Sequence, residues 1–235
     1  MEQIYNIPVH EALEASQADG RCGCAMCALY RRLEENELDL ILGASMMEPD
    51  VRIKTNKQGF CRTHYDMMFT RKNRLGMALT LESHLAELKK DLSSGLMGNL
   101  LGRPDQRPAK RIAELESSCY VCSRIDFHFQ HMAETVVLLF EAEETFGELL
   151  KGQPYFCLPH YRLLLEKAAN RLSKKRLAEF VGIISKVQEA YLDTLSEDVS
   201  WFCKKFDYRY HEEPWKNSKD SVERAMAFLR CDIHK

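Results

Sequence analysis

The chain writes Phe-Cys-x-x-His-Tyr twice, as "GFCRTHY" at 59–65 and "YFCLPHY" at 155–161. Each copy follows a Cys-x-x-Cys pair. Between Cys24-x2-Cys27 and Cys61 lie 33 residues, and between Cys119-x2-Cys122 and Cys157 lie 34. The cysteine pairs are offset by 95 residues and the Cys-His pairs by 96, so the whole pattern recurs as one unit. An internal repeat of that length implies a duplicated structural unit, and this repeat carries chemistry.

Two sulfurs in a Cys-x2-Cys can converge on one ion about 2.3 Å away, and a second pair from elsewhere closes the tetrahedron. Taken in sequence order, Cys24, Cys27, Cys61 and His64 are expected to bind one ion, and Cys119, Cys122, Cys157 and His160 a second. Three thiolates and a neutral imidazole suit zinc in a reducing compartment, which predicts two zinc ions per chain. An iron–sulfur cluster is the alternative cofactor. Each pair stands at or just before a helix start, where free N–H groups and the dipole favour the thiolate. Cysteine used as a small core hydrophobe is the plainer explanation, but it does not place a His three residues after a Cys twice. Cys22 could substitute for Cys24. Cys22, Cys203 and Cys231 have no counterparts in the repeat and are read as structural.

Around these motifs the chain reads as all-α. Apolar residues recur at helical spacing, no alternating strand pattern is present, and Gly and Pro collect in a few breaks. The expected architecture is a helical bundle of two duplicated units, at 1–92 and 109–205, joined by the Gly- and Pro-containing linker 93–108. A C-terminal segment, 206–235, follows. Helices are expected from Pro8 to about Ala18, from Cys24 to before Pro49, and from Cys61 to about Leu92. Others should run from about Ala109 or Cys119 to "KGQP", and from Pro159 to Phe206 with a break near Gly182. A short helix, "DSVERAMAFL", has capping-box spacing at Asp220 and Glu223.

The stretches "IPVHEALEA", "GFCRTH", "CYVC", "FCLPHY" and "KKFDYRY", spread over nearly the whole chain, resemble a bacterial family known only as a domain of unknown function. That family's first Cys pair often encloses a Pro where this chain has "CAMC", a departure that leaves the ligands intact. The resemblance implies a helical protein with Cys/His sites and brings no activity with it.

Composition narrows the function classes. A formal charge of −2, from 33 basic and 35 acidic residues, provides no field for recruiting nucleic acid. The amino-terminal sequence lacks a basic and then apolar leader pattern, and the longest apolar runs fall short of a membrane span, so a cytoplasmic protein is expected. No Gly-rich phosphate loop and no nucleophile elbow is present. His128, His131 and Glu134 share a helix face and read as a solvated polar stripe. The expectation is a non-catalytic interaction or regulatory module with a protein partner. Its first candidate contact surface is Phe206–Trp215, rich in Tyr, Arg and Trp. Redox chemistry at the Cys pairs is the alternative.

Overall fold

A computed structural model describes residues 3–93 and 106–233; of the linker expected at 93–108, residues 94–105 lie outside them, and a helix already begins at Arg107. Among the described residues there are eleven α-helices and no strand. The helices are α1 (Asn6–Ala18), α2 (Ala25–Leu42), α3 (Pro49–Gln58), α4 (Arg62–Thr70), α5 (Arg74–Ser93), α6 (Arg107–Glu116), α7 (Tyr120–Ala142), α8 (Phe146–Lys151), α9 (Leu158–Arg171), α10 (Lys174–Lys204) and α11 (Ser221–Arg230). The all-α expectation holds. No described helix is long and apolar enough to cross a membrane.

Several boundaries differ from the sequence reading, each for a local reason. The helix expected from Cys61 to Leu92 is two, because the Asn73 side chain caps α5, its Oδ1 accepting the Gly76 N–H at 2.8 Å. The Asn73 amide also donates to the Leu42 carbonyl at 2.5 Å. The long run after Pro159 breaks at Ser173, whose hydroxyl accepts the Arg176 N–H, and Gly182 lies inside α10 without interrupting it. Helix α3 is absent from the sequence reading: "PDVRIKTNKQ" has no apolar stripe and buries only Thr55. Asp220 makes no capping hydrogen bond to α11; its carboxylate accepts from Arg224 Nε at 3.0 Å instead.

The chain packs as two compact units, Met1–Arg31 with Phe129–Lys235, and Arg32–His128. This division differs from the consecutive halves 1–92 and 109–205 that the repeat suggests. In the first, discontinuous unit, α10 packs on α8, α9 and α11, and α1 packs on α8. Its core includes Val9, Leu13, Val136, Phe140, Phe146, Phe156, Leu164, Phe180, Ile184 and Phe228. Phe140 meets Phe180 edge-on at 5.1 Å, and Tyr155 stacks on Tyr191 at 4.1 Å. Burying each such ring contributes on the order of 1.5–3 kcal/mol. The second, continuous unit packs α5 against α3, α4 and α6, with Leu38, Ile41, Phe60, Met68, Val121 and Ile125 buried.

Candidate metal centres

All eight predicted ligands occupy one recurring local structure. Cys61 and Cys157 are the N-cap residues of α4 and α9, and Cys24 and Cys119 immediately precede α2 and α7. In all four, the cysteine carbonyl accepts the N–H four residues on: from Ala28 at 3.2 Å, Tyr65 at 3.0 Å, Ser123 at 3.0 Å and Tyr161 at 2.8 Å. The second ligand of each pair then falls at the third helical position. N-cap and N3 side chains face one point at a helix start, the geometry a capping box uses for hydrogen bonds. Here the two positions carry metal-ligating atoms.

These helix starts meet in pairs, and the eight residues form two groups whose donor atoms lie within 4.8 Å of one another. One group is Cys24, Cys27, Cys157 and His160, all buried within the discontinuous unit; the other is Cys61, His64, Cys119 and Cys122, within the continuous unit. The sequence-order pairing, with Cys61 and His64 joining Cys24 and Cys27, and Cys157 and His160 joining Cys119 and Cys122, is therefore wrong. After Cys27, the remaining 15 residues of α2 carry the chain about 22 Å away, and the 10 residues of α3 span about 15 Å. After Cys122, the remaining 20 residues of α7 cover about 30 Å and the six of α8 about 9 Å. In neither case does the next helix alone retrace the outward run, and each Cys-His pair packs with the Cys pair of its own unit.

The distances fit a tetrahedral ion. With metal–sulfur bonds of about 2.3 Å and a metal–nitrogen bond of about 2.0 Å, neighbouring donors should be about 3.8 Å apart for two sulfurs and about 3.5 Å for sulfur and nitrogen. In the 24–160 centre, Cys27 and Cys157 sulfurs are 3.6 Å apart, and His160 Nδ1 lies 3.7, 3.5 and 3.1 Å from Cys24, Cys27 and Cys157. In the 61–122 centre, Cys61 and Cys122 sulfurs are 3.9 Å apart, and His64 Nδ1 lies 3.1, 3.3 and 3.4 Å from Cys61, Cys119 and Cys122. All nine cysteines are free thiols.

Backbone detail supports the same geometry. Gly59, two residues before Cys61, has φ 61° and ψ −159°, a region essentially reserved for glycine. Its carbonyl accepts the Tyr120 N–H at 2.9 Å, which ties the two ligand pairs of the 61–122 centre together. Gly23, with φ 75°, precedes Cys24, and its carbonyl accepts the Ser16 hydroxyl at 2.7 Å.

Electrostatics show what a cation would do. Hydrogen bonds from Cys157, Cys231 and Cys24 hold Cys27 far below the usual thiol range. Burial pushes Cys24 up to about 12. In the other centre, burial raises Cys119, but the hydrogen bond to His64 together with backbone hydrogen bonds from Cys122 and Cys61 outweighs it and brings the thiol down to about 6. Burial alone would lower His64, yet Cys119 and Glu34 raise it to about 10. Burial and the neighbouring Cys119 push Cys122 well up. Without a cation the two centres stabilise the Cys27 and Cys119 thiolates and hold Cys24, Cys157 and Cys122 as thiols. A divalent ion supplies the charge needed to ionise all three sulfurs.

The sequence reading omits two residues beside the centres. Glu34, buried, has a carboxylate oxygen 3.1 Å from His64 Nε2, on the far side of the ring from the sulfurs. Its signal is that it follows Cys27 by seven residues and precedes Leu38 and Ile41 on the buried stripe of α2. The sulfur of Cys231 lies 3.4 Å from Cys157 Sγ and 4.0 Å from His160 Nε2. Cys22 and Cys203 are exposed. His128, His131 and Glu134 do not converge: His128 faces Glu37 at 3.9 Å, His131 stacks on Tyr5, and Glu134 pairs with Arg171.

A family model, described as a family of unknown function (DUF6062), matches residues 1–235. The chain belongs to this family. No curated protein and no solved structure matches this DUF6062 member. Its fold and its two Cys3His groups therefore stand on the residues and geometry described above.

Proposed function

We propose that this protein holds two structural zinc ions and acts as an interaction or regulatory module. The observation that carries the reading is the pair of Cys3His groups, each with a His Nδ1 facing three sulfurs at the edge lengths of a tetrahedron. Four protein donors fill a zinc coordination shell and leave no position for substrate or catalytic water. Within this reading, each ion staples two helix starts. Metal analysis of protein purified without added metal tests it: about two zinc per chain in a colourless sample is expected, whereas a brown, iron-containing sample would establish the iron–sulfur alternative.

For the partner, the reading uses the C-terminal segment. Phe202 packs on Phe206 and Trp215, and the buried Lys205 ammonium donates to the carbonyls of Tyr210, His211 and Glu213. That folded turn leaves Phe206 at 75% and Tyr208 at 88% exposure, aromatic surface of the kind enriched in binding hot spots. Affinity capture with wild type and with Tyr208→Ala plus Arg209→Ala should return different partner sets; identical sets would eliminate this surface.

A further inference from the structure

We infer that Cys231 is an alternate fourth ligand of the 24–160 centre, taking the place of His160 on the ion. This deepens the proposed function and rests on that centre holding metal. The Cys231 and Cys157 sulfurs are 3.4 Å apart, a little inside the roughly 3.8 Å spacing of two sulfur ligands on one ion, and Cys231 is half-buried against the centre. It is held there from both sides. Three residues earlier, Phe228 is buried against Tyr155 and Tyr191. One residue later, Arg31 donates to the Asp232 carbonyl at 3.2 Å and pairs with its carboxylate at 3.4 Å.

The two centres differ at this point. Behind His64 the outer ring nitrogen meets the buried Glu34 carboxylate, a partner that fixes a ligating imidazole in place. Behind His160 it meets a fifth soft donor. A thiolate is as good a ligand as imidazole for a borderline-soft divalent ion. The 24–160 centre therefore has a fourth sulfur beside its Cys3His set, and among the described residues the 61–122 centre has none. In the exchange, Cys231 gives up its proton as its sulfur bonds the ion, and the imidazole nitrogen released takes up a proton. No electron is transferred. The ion would have four protein donors before and after the exchange, and the Cys231 thiolate would help it leave His160, so this centre is the one from which metal is expected to be passed on.

Cobalt(II) titration followed by its sulfur-to-metal absorption tests the assignment, with folding of each variant checked by circular dichroism. Wild type should bind two ions and His64→Ala one. His160→Ala should still bind two, with a stronger sulfur band from the fourth thiolate, and His160→Ala combined with Cys231→Gly should bind one. Glycine suits this position because Cys231 has φ 74° and ψ 164°. As a second readout, Cys231→Gly alone should slow cobalt transfer from the 24–160 centre to a chelator and leave the other centre unaffected. His160→Ala binding one ion, the double variant binding two, or an unchanged transfer rate would overturn the inference. Wild type binding no cobalt would overturn the metal reading beneath it.

Discussion

At the scale of the residue, the 61–122 centre depends on a charge outside its ligand set. Glu34 accepts the His64 Nε2–H and so turns Nδ1 toward the three sulfurs. Losing such an outer partner weakens metal binding by about 10- to 100-fold. Glu34→Gln keeps an acceptor oxygen and should fall at the low end, and Glu34→Ala near the high end. Competition with a chromophoric chelator should show one weakened site and one unchanged, and two unchanged sites would remove Glu34 from this role. The same residues set the pH dependence. Between the Cys119 value of about 6 and the His64 value of about 10, the metal-free centre holds a Cys119 thiolate, a protonated His64 and a Cys122 thiol. An ion must displace at least the His64 and Cys122 protons, so affinity should rise by at least about a hundredfold per pH unit in this window, and fall more steeply below it as Cys119 is protonated too. Affinity measured at three pH values, with no rise toward high pH, would contradict this linkage.

At the scale of the element, the recurring unit is a helix start with donors at the N-cap and third positions, used four times. Cross-pairing makes an element-level test possible. In Cys157→Ser, one zinc equivalent should be lost, and amide hydrogen exchange should accelerate at the starts of α9 and α2 while α4 and α7 keep their protection. Loss of protection at the start of α7 instead would restore the sequence-order pairing. The eight clustered donor residues are legible in the sequence because a Cys-x2-Cys or Cys-x2-His at a helix start has one geometry. Which starts meet is not, because 33- and 34-residue spacings are equally compatible with either pairing until helix lengths are known. Helix α3, with Thr55 as its one buried residue, carries no periodic signal, and without it the path between Cys27 and Cys61 cannot be traced. Cys231 escapes a reading based on repeats because its helix occurs once. Glu34 looks like any surface glutamate until its place on the apolar stripe of α2 is weighed.

At the scale of the whole molecule, the two centres are nested along the chain: ligands at 61–122 lie entirely between the Cys24–Cys27 pair and the Cys157–His160 pair. As cross-links, a bond from 27 to 157 closes 130 residues and one from 64 to 119 closes 55, for which loop closure predicts roughly 5 and 4 kcal/mol of stabilisation. The two are not additive, since closing the inner loop shortens the outer. Even the smaller is a large share of a net stability of about 5–15 kcal/mol. Removing metal with a chelator should therefore lower the melting temperature by about 10 °C or more for a chain of this size, and an unchanged calorimetric transition would exclude the ions as staples. Nesting also sets a clock during synthesis. At about 5–20 residues per second, Cys157 leaves the ribosome roughly 6–26 s after Cys27, whereas the inner ligands emerge less than half that interval apart. The first two ligands made spend that time as bare thiols, open to any competing ion or oxidant. The inner centre can close on a chain still being translated, and closure of the outer one marks a chain finished through His160.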